Sequence, residues 1–132
     1  MIGIVVVAHF NLAREMVAAT ELIVGKQEQF AYVDIFPDED VQKVKKMVVE
    51  ALKRVDSGDG TLMLTDMFGG TPSNIALSFH NPGIVDVVTG VNLPMIIKIA
   101  NQKEGDTLES LARIVRDQGR SSIAMASDFL GA

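Results

Sequence analysis

Two histidines stand in this chain, His9 and His80, and histidine is the side chain best suited to take up and release a group near neutral pH. His9 closes the apolar run "IGIVVVA" of residues 2–8, and Asp66 closes a second apolar run, "TLMLT", of residues 61–65. A carboxylate that accepts a hydrogen bond from one ring nitrogen fixes the tautomer and leaves the other nitrogen's lone pair free as a nucleophile or base. The two residues can meet only if the two runs are neighbouring strands. Taken singly, each has a bland reading, His9 as a satisfied strand-end histidine and Asp66 as a turn residue.

A third component follows Asp66 directly in "DMFGGTPSN", residues 66–74. Gly69 and Gly70 let the backbone approach a ligand closely, and a helix beginning after them offers unpaired N–H groups, the Thr71 hydroxyl and the positive end of a dipole. With Thr71 as N-cap and Pro72 at the first helical position, this outlines a phosphate cradle. It lacks the lysine of a Walker A loop and is not a G-x-G-x-x-G dinucleotide fingerprint. Glycine pairs before helices are usually tight turns, so the loop gains meaning only beside His9 and Asp66. No metal-ligand cluster and no cationic clamp accompanies the three, and no cofactor is implied. A phosphoryl group on a histidine nitrogen fits this inventory better than hydrolysis, because phosphoryl transfer is largely positioning and charge stabilisation. His80, in "FHNPG" at a helix end beside a turn, reads as a capping or surface residue.

The positioning elements follow from periodicity. The first apolar run is continuous, as in a strand covered on both faces of a parallel sheet. A helix follows over residues 11–24, with Leu12, Met16, Ala19 and Ile23 as its apolar stripe, Asn11 as cap and Gly25 as stop. "FAYVDIF", residues 30–36, is a more exposed strand; residues 41–55 form a helix whose stripe is Val44, Met47, Val48, Ala51, Leu52 and Val55. After "DSGDG" come the strand ending at Asp66, the helix of residues 71–80, and a strand in "IVDVVTG". A helix then begins near Pro94, another in "TLESLARIVRDQGR" ends at Gly119, and "SSIAMASDFLGA" is a short strand or a loose tail. This alternation predicts an α/β domain over residues 1–132, with a mostly parallel sheet of four core strands, helices on both faces, and room for an extra C-terminal edge strand. In such a sheet chemistry gathers at the carboxyl ends of the strands, where strand order reverses.

Composition removes several classes. There are no cysteines, which excludes disulfides, thiolate metal sites and a cysteine nucleophile. The net charge of −5, with no basic cluster denser than "KVKK" at residues 43–46, argues against nucleic acid. No run approaches the roughly 18 to 20 apolar residues of a membrane span, and the apolar start lacks the cationic flank of a signal peptide. These features point to a soluble, cytoplasmic protein.

With its three motifs in hand, "IVVVAHFNLA", "LMLTDMFGGTPSN" and "VVTGVNLPM", the chain resembles the mannose-family enzyme IIA domain of the bacterial sugar phosphotransferase system. The resemblance runs in order over nearly the whole chain. It implies a homodimer with a four-stranded parallel core in which the first strand lies beside the third. It implies that His9 takes a phosphoryl group from the small carrier protein HPr and passes it to a histidine of a IIB partner. It implies that Asp66 orients His9, that Phe68, Gly69, Gly70 and Thr71 border the phosphate, and that "GVNLPM" lies near the pocket and the dimer contact. In some members a C-terminal strand crosses to the other subunit, and the tail of this chain does not match theirs closely. No alanine- and proline-rich linker to a IIB domain is present, so the expected form is free-standing or trimmed, associated with a membrane permease only through IIB.

Other readings share these residues. A non-transport regulator, with a partner sensing whether His9 is phosphorylated, would look the same in sequence. Delivery to a dihydroxyacetone kinase is a variant against which the "TDMFGGTP" loop argues. A His/Asp hydrolase is weakest, since no serine or cysteine nucleophile accompanies the pair. Phe10, Met67 and Phe68 flank the reactive positions, and Phe10 and Met67 are expected to dock partners, as adaptable apolar groups at a site serving two carriers in turn.

Overall fold

The computed structural model describes residues 1–131. Four strands, β1 (Gly3–His9), β2 (Phe30–Ile35), β3 (Thr61–Thr65) and β4 (Val85–Thr89), form one parallel sheet in the order β2-β1-β3-β4. They alternate with α1 (Leu12–Val24), α2 (Val41–Val55), α3 (Gly70–Leu77) and α4 (Leu93–Ala100), followed by α5 (Leu108–Ser121) and α6 (Ala126–Leu130). Among the described residues no helix is long and apolar enough to cross a membrane.

β1 is buried from Gly3 to Ala8 because both of its faces are covered. Ile4, Val6 and Ala8 pack with Leu62 and Leu64 beneath α1, α4 and α5, while Val5, Val7 and Met63 pack beneath α2 and α3. This two-sided burial explains why the strand reads as a continuous apolar run rather than an alternating one. β1 hands the chain to β2 on one side and β3 hands it to β4 on the other, so strand order reverses between β1 and β3. A crevice therefore opens at their carboxyl ends, where His9 and Asp66 emerge.

Several local expectations change. In α1 the buried face is Ala13, Val17 and Thr20, with Met16 partly covered, while Leu12 and Ile23 face outward. Small residues sit against the sheet because α1 must lie close to it, which turns the larger residues of the expected stripe away. Asn11 makes no capping hydrogen bond; its Oδ1 accepts from the Arg14 guanidinium. The cap comes from β2 instead, where the buried Asp34 accepts from the Arg14 amide at 3.2 Å and pairs with Arg14 Nε at 3.2 Å. β2 is an edge strand, yet of its six residues only Tyr32 is exposed. α2 matches its expected limits with Asp40 as cap, although Met47 lies outward.

α3 begins before Thr71: Gly69 is its N-cap and the Ser73 hydroxyl accepts from the Gly69 amide at 3.2 Å. Gly119 does not stop α5. It lies inside the helix, and a Cβ there would come within 2.5 Å of Met95 Sδ, so the glycine serves close packing of α5 on α4. The tail forms the short helix α6 rather than a strand, with Ile123, Met125, Phe129 and Leu130 exposed; Ala132, its last residue in sequence, lies outside the described residues.

Candidate functional site

β1 ends on His9 and β3 ends one residue before Asp66, and their parallel pairing brings together side chains 57 positions apart. His9 Nδ1 lies 2.7 Å from Asp66 Oδ2, and the His9 amide donates to the same oxygen at 3.0 Å. The other oxygen, Oδ1, accepts from the Met67 amide at 3.1 Å. An ionised carboxylate can only accept, so the proton of the shared bond sits on Nδ1, and in the neutral ring the Nε2 lone pair is free. One carboxylate thus grips both the backbone and the ring of His9.

Burial of the Asp66 carboxyl is the largest single influence on its titration and acts to raise the pKa. The hydrogen bonds from the His9 amide and ring, with the attraction of the charged imidazole form, together outweigh burial and hold Asp66 below the ordinary carboxylate range. Asp66 is consequently an anion throughout the neutral range. Its side chain is 11% exposed against 45% for His9, so the orienting group is sheltered and the ring it orients is open.

Nε2 faces the start of α3. A Cβ placed on Gly70 would lie 3.6 Å from both Nε2 and Cε1 of His9. Gly69 and Gly70 have φ of +87° and +85°, and Gly69 combines it with ψ of 162°, backbone that costs a side-chain-bearing residue about 1–3 kcal/mol. The glycine pair therefore meets two demands, a left-handed turn and an unobstructed approach to the ring. The amides of Gly70 and Thr71, in the first turn of α3, have no intrahelical acceptor, and the positive end of the helix lies with them. Thr71 is exposed and does not cap the helix.

The remaining expected positions share this end of the sheet. Phe10 is 60% exposed, Met67 53% and Phe68 77%, so all three belong to the surface around His9 and none to the core. Phe10 holds φ of +53°, unusual for a bulky residue, while its amide donates to the Ile35 carbonyl at 2.8 Å. Its ring meets Phe36 edge to face with centroids 6.0 Å apart, an arrangement worth about 0.5–1.5 kcal/mol that offsets part of the strain. "GVNLPM" runs from the end of β4 into α4, and the Val91 amide donates to the carbonyl of Thr65, the residue before Asp66, at 2.9 Å.

Sequence reasoning missed Asp34, Arg14, Phe36 and Ser73. A lone carboxylate inside the apolar run "FAYVDIF" was the available signal for Asp34; Ser73, four residues after Gly69, carried none that separates it from an ordinary helix residue. His80 lies past the other end of α3, with Nε2 3.7 Å from Asp86 Oδ1. A cavity of about 590 Å³ between β4 and α5 is lined by Arg113, Arg116 and Arg120 and does not include His9. The His9 site is open, since the ring of His9 is 45% exposed and Phe10, Met67 and Phe68 are exposed beside it in sequence. Among the described residues no group of three or more His, Cys, Asp or Glu side chains is gathered as a metal-ligand set.

Comparison with known proteins follows the same lines. The family model described as "PTS system fructose IIA component" matches residues 3–116. The chain is 28% identical over 131 residues to a fructose-specific EIIA component of the phosphotransferase system from Bacillus subtilis (strain 168), covering 98% of this chain and 90% of that one. It is 27% identical over 128 residues to the mannose-specific EIIAB component of Escherichia coli (strain K12), covering 92% of this chain but 38% of that longer one. A crystal structure of a phosphotransferase system component EIIA from Streptococcus agalactiae superposes with a TM-score of 0.83 at 26% identity, over 97% of this chain and 99% of that one.

Proposed function

Because the chain belongs to the fructose- and mannose-type IIA components of the bacterial sugar phosphotransferase system, a family of phosphotransfer proteins, we propose that it carries a phosphoryl group on His9 Nε2. The donor in this reading is phosphorylated HPr and the acceptor is a histidine of a IIB protein or domain. One observation carries it: Asp66 binds His9 Nδ1 at 2.7 Å while Nε2 faces the glycine turn at the start of α3.

The Nε2 lone pair attacks the incoming phosphorus; as the N–P bond forms, the bond from phosphorus to the donor breaks with its electron pair staying on the donor, and the His9 ring becomes cationic. The ionised Asp66 stabilises that charge through the Nδ1 proton, and the ring is already oriented before a partner arrives. The phosphoryl oxygens meet the Gly70 and Thr71 amides and the Thr71 hydroxyl beside Phe68 and Gly69. Return of the group to a second histidine uses the same contacts in reverse. No metal takes part in this reading.

An open site suits carriers that bring the phosphoryl group on a protein surface, and Phe10 and Met67 supply apolar contact for docking them in turn. Residues 1–132 act in this reading as one cytoplasmic domain. It works as a homodimer, a proposal supported by the exposed apolar residues of the tail and by the edge position of β4 in the sheet.

Incubation with phosphorylated HPr is expected to place one acid-labile phosphoryl group on the protein, and His9→Ala to abolish it. Equal labelling of His9→Ala overturns the assignment. Addition of a IIB protein is then expected to discharge the label; a label that stays in place against every IIB protein supplied favours the sensing role over the carrier role.

A further inference from the structure

We propose that His9 also accepts a phosphoryl group directly from small acyl phosphates, with no carrier protein, an activity that rests on the phosphoryl-carrier reading above. The starting observation is the chemistry of the cradle. From residue 67 to residue 74 no side chain titrates, and neither Phe10 nor Asn11 does. The amides of Gly70 and Thr71 and the end of α3 can stabilise charge on phosphoryl oxygens, but nothing in this set gives a proton to a leaving oxygen. Asp66 is held ionised by its bonds to His9 and is an acceptor there.

Such a site selects its donor by leaving group. An alkyl phosphate must expel an alkoxide, which needs protonation as the P–O bond breaks. An acyl phosphate expels a carboxylate, whose conjugate acid has a pKa of about 4, so it departs without a proton at neutral pH. In the step, the Nε2 lone pair forms the N–P bond. The P–O bond to the acyl oxygen breaks, and its electron pair leaves with the carboxylate. The Nδ1 proton stays in its bond to Asp66, and the ring gains the positive charge that the carboxylate product balances.

Access favours the same conclusion. The nucleophile, its orienting carboxylate and the amide cradle all come from one chain. The His9 ring is 45% exposed, and Gly70 leaves open the space that a Cβ would occupy 3.6 Å from Nε2, so a donor the size of acetyl phosphate needs no partner surface to reach it.

His80 is the internal control, since its side chain is 48% exposed and it also has an aspartate nearby. The test treats the purified chain with acetyl phosphate, with phenyl phosphate as an ester probe, and in parallel with phosphorylated HPr, following labelling by intact mass and phosphorus NMR. Acetyl phosphate is expected to label His9 at least roughly 100-fold faster than His80, to leave His9→Ala unlabelled, and to label His80→Ala at the unaltered rate. Phenyl phosphate is expected to label neither histidine. Equal labelling of both histidines by acetyl phosphate, or labelling by phenyl phosphate at a comparable rate, overturns the proposal. So does a protein that phosphorylated HPr labels and acetyl phosphate does not, and that result leaves the carrier reading intact. Failure with phosphorylated HPr alone overturns HPr as the donor, and labelling by acetyl phosphate then keeps His9 as the phosphoryl acceptor on which both readings rest.

Discussion

His9 and His80 lie off opposite ends of the same helix, α3, and their side chains are almost equally exposed, at 45% and 48%. Each has an aspartate for a neighbour. The similarity ends at the direction of the ring. His9 gives Nδ1 to Asp66 at 2.7 Å and turns Nε2 toward the amino end of α3, where unpaired amides gather. His80 turns Nε2 toward Asp86 at 3.7 Å, beyond hydrogen-bond distance, and sits beyond the carboxyl end, where carbonyls gather. On the proposed reading, exposure and a nearby carboxylate are therefore not enough to make a phosphoryl acceptor. The lone pair must be aimed, and it must be aimed at donors rather than acceptors.

That contrast can be broken deliberately. The largest effect after loss of His9 itself is expected at Asp66. Asp66→Asn keeps an acceptor but removes the charge that balances the ring, and phosphorylation measured by rapid quench should slow by roughly 10- to 100-fold. Asp86→Asn, beside His80, should leave the rate unchanged. An equal response to both changes would erase the distinction between the two sites.

Gly70→Ala should slow transfer by roughly tenfold, because a methyl group would stand 3.6 Å from Nε2 in the path of the phosphoryl group. It should also destabilise the fold by about 1–2 kcal/mol through its φ of +85°. Gly83→Ala is the matched control near His80, with φ of +78° and nothing within 4 Å of its Cβ. Similar melting losses with a rate loss only at Gly70 would separate strain from obstruction.

The next effect is on stability. Asp66 titrates below the ordinary carboxylate range when folded, so the unfolded chain binds its proton first as pH falls. Its contribution is fully present above the unfolded pKa and is lost as pH drops through the folded one. Denaturant midpoints should show a gap between the parent and Asp66→Asn that is constant near neutrality and closes in acid, below the ordinary carboxylate range. A gap independent of pH would remove the carboxylate's charge from the account. Smallest is Phe10→Gly, expected to gain up to about 1 kcal/mol by releasing the left-handed strain, less the lost contact with Phe36, while slowing transfer from phosphorylated HPr a few-fold. An unchanged transfer rate would leave Phe10 without a docking role.

The strand-end positions of His9 and Asp66 were legible because β1 and β3 are covered on both faces and so read as unbroken apolar runs. Their pairing rests on a rule of parallel sheets, and the order β2-β1-β3-β4 places the two strands side by side. The cradle was legible from its glycines, whose positive φ no other residue adopts without cost. Cap positions were not. Asn11 and Thr71 are good caps by residue type, but Asp34 reaches the start of α1 from another strand and Ser73 reaches back to Gly69 from within α3. Local preference gave way to partners that tertiary structure delivers. The inner face of α1 was misread for a related reason, since closeness to the sheet selected Ala13, Val17 and Thr20 over larger neighbours.

The 57-residue span between His9 and Asp66 has a consequence for the order of events during synthesis. β1 leaves the ribosome before β3 and α3, so the carboxylate that binds its histidine arrives only with the end of β3, and the amides proposed to receive the phosphoryl group only with α3. Non-local contacts of this kind form late, after loop closure has been met for the intervening chain. A nascent or partly unfolded chain holds only an ordinary imidazole at position 9. Phosphorylation would therefore be withheld from incomplete molecules, and the rate at which His9 takes up its group could serve as a direct readout of how many chains have finished folding.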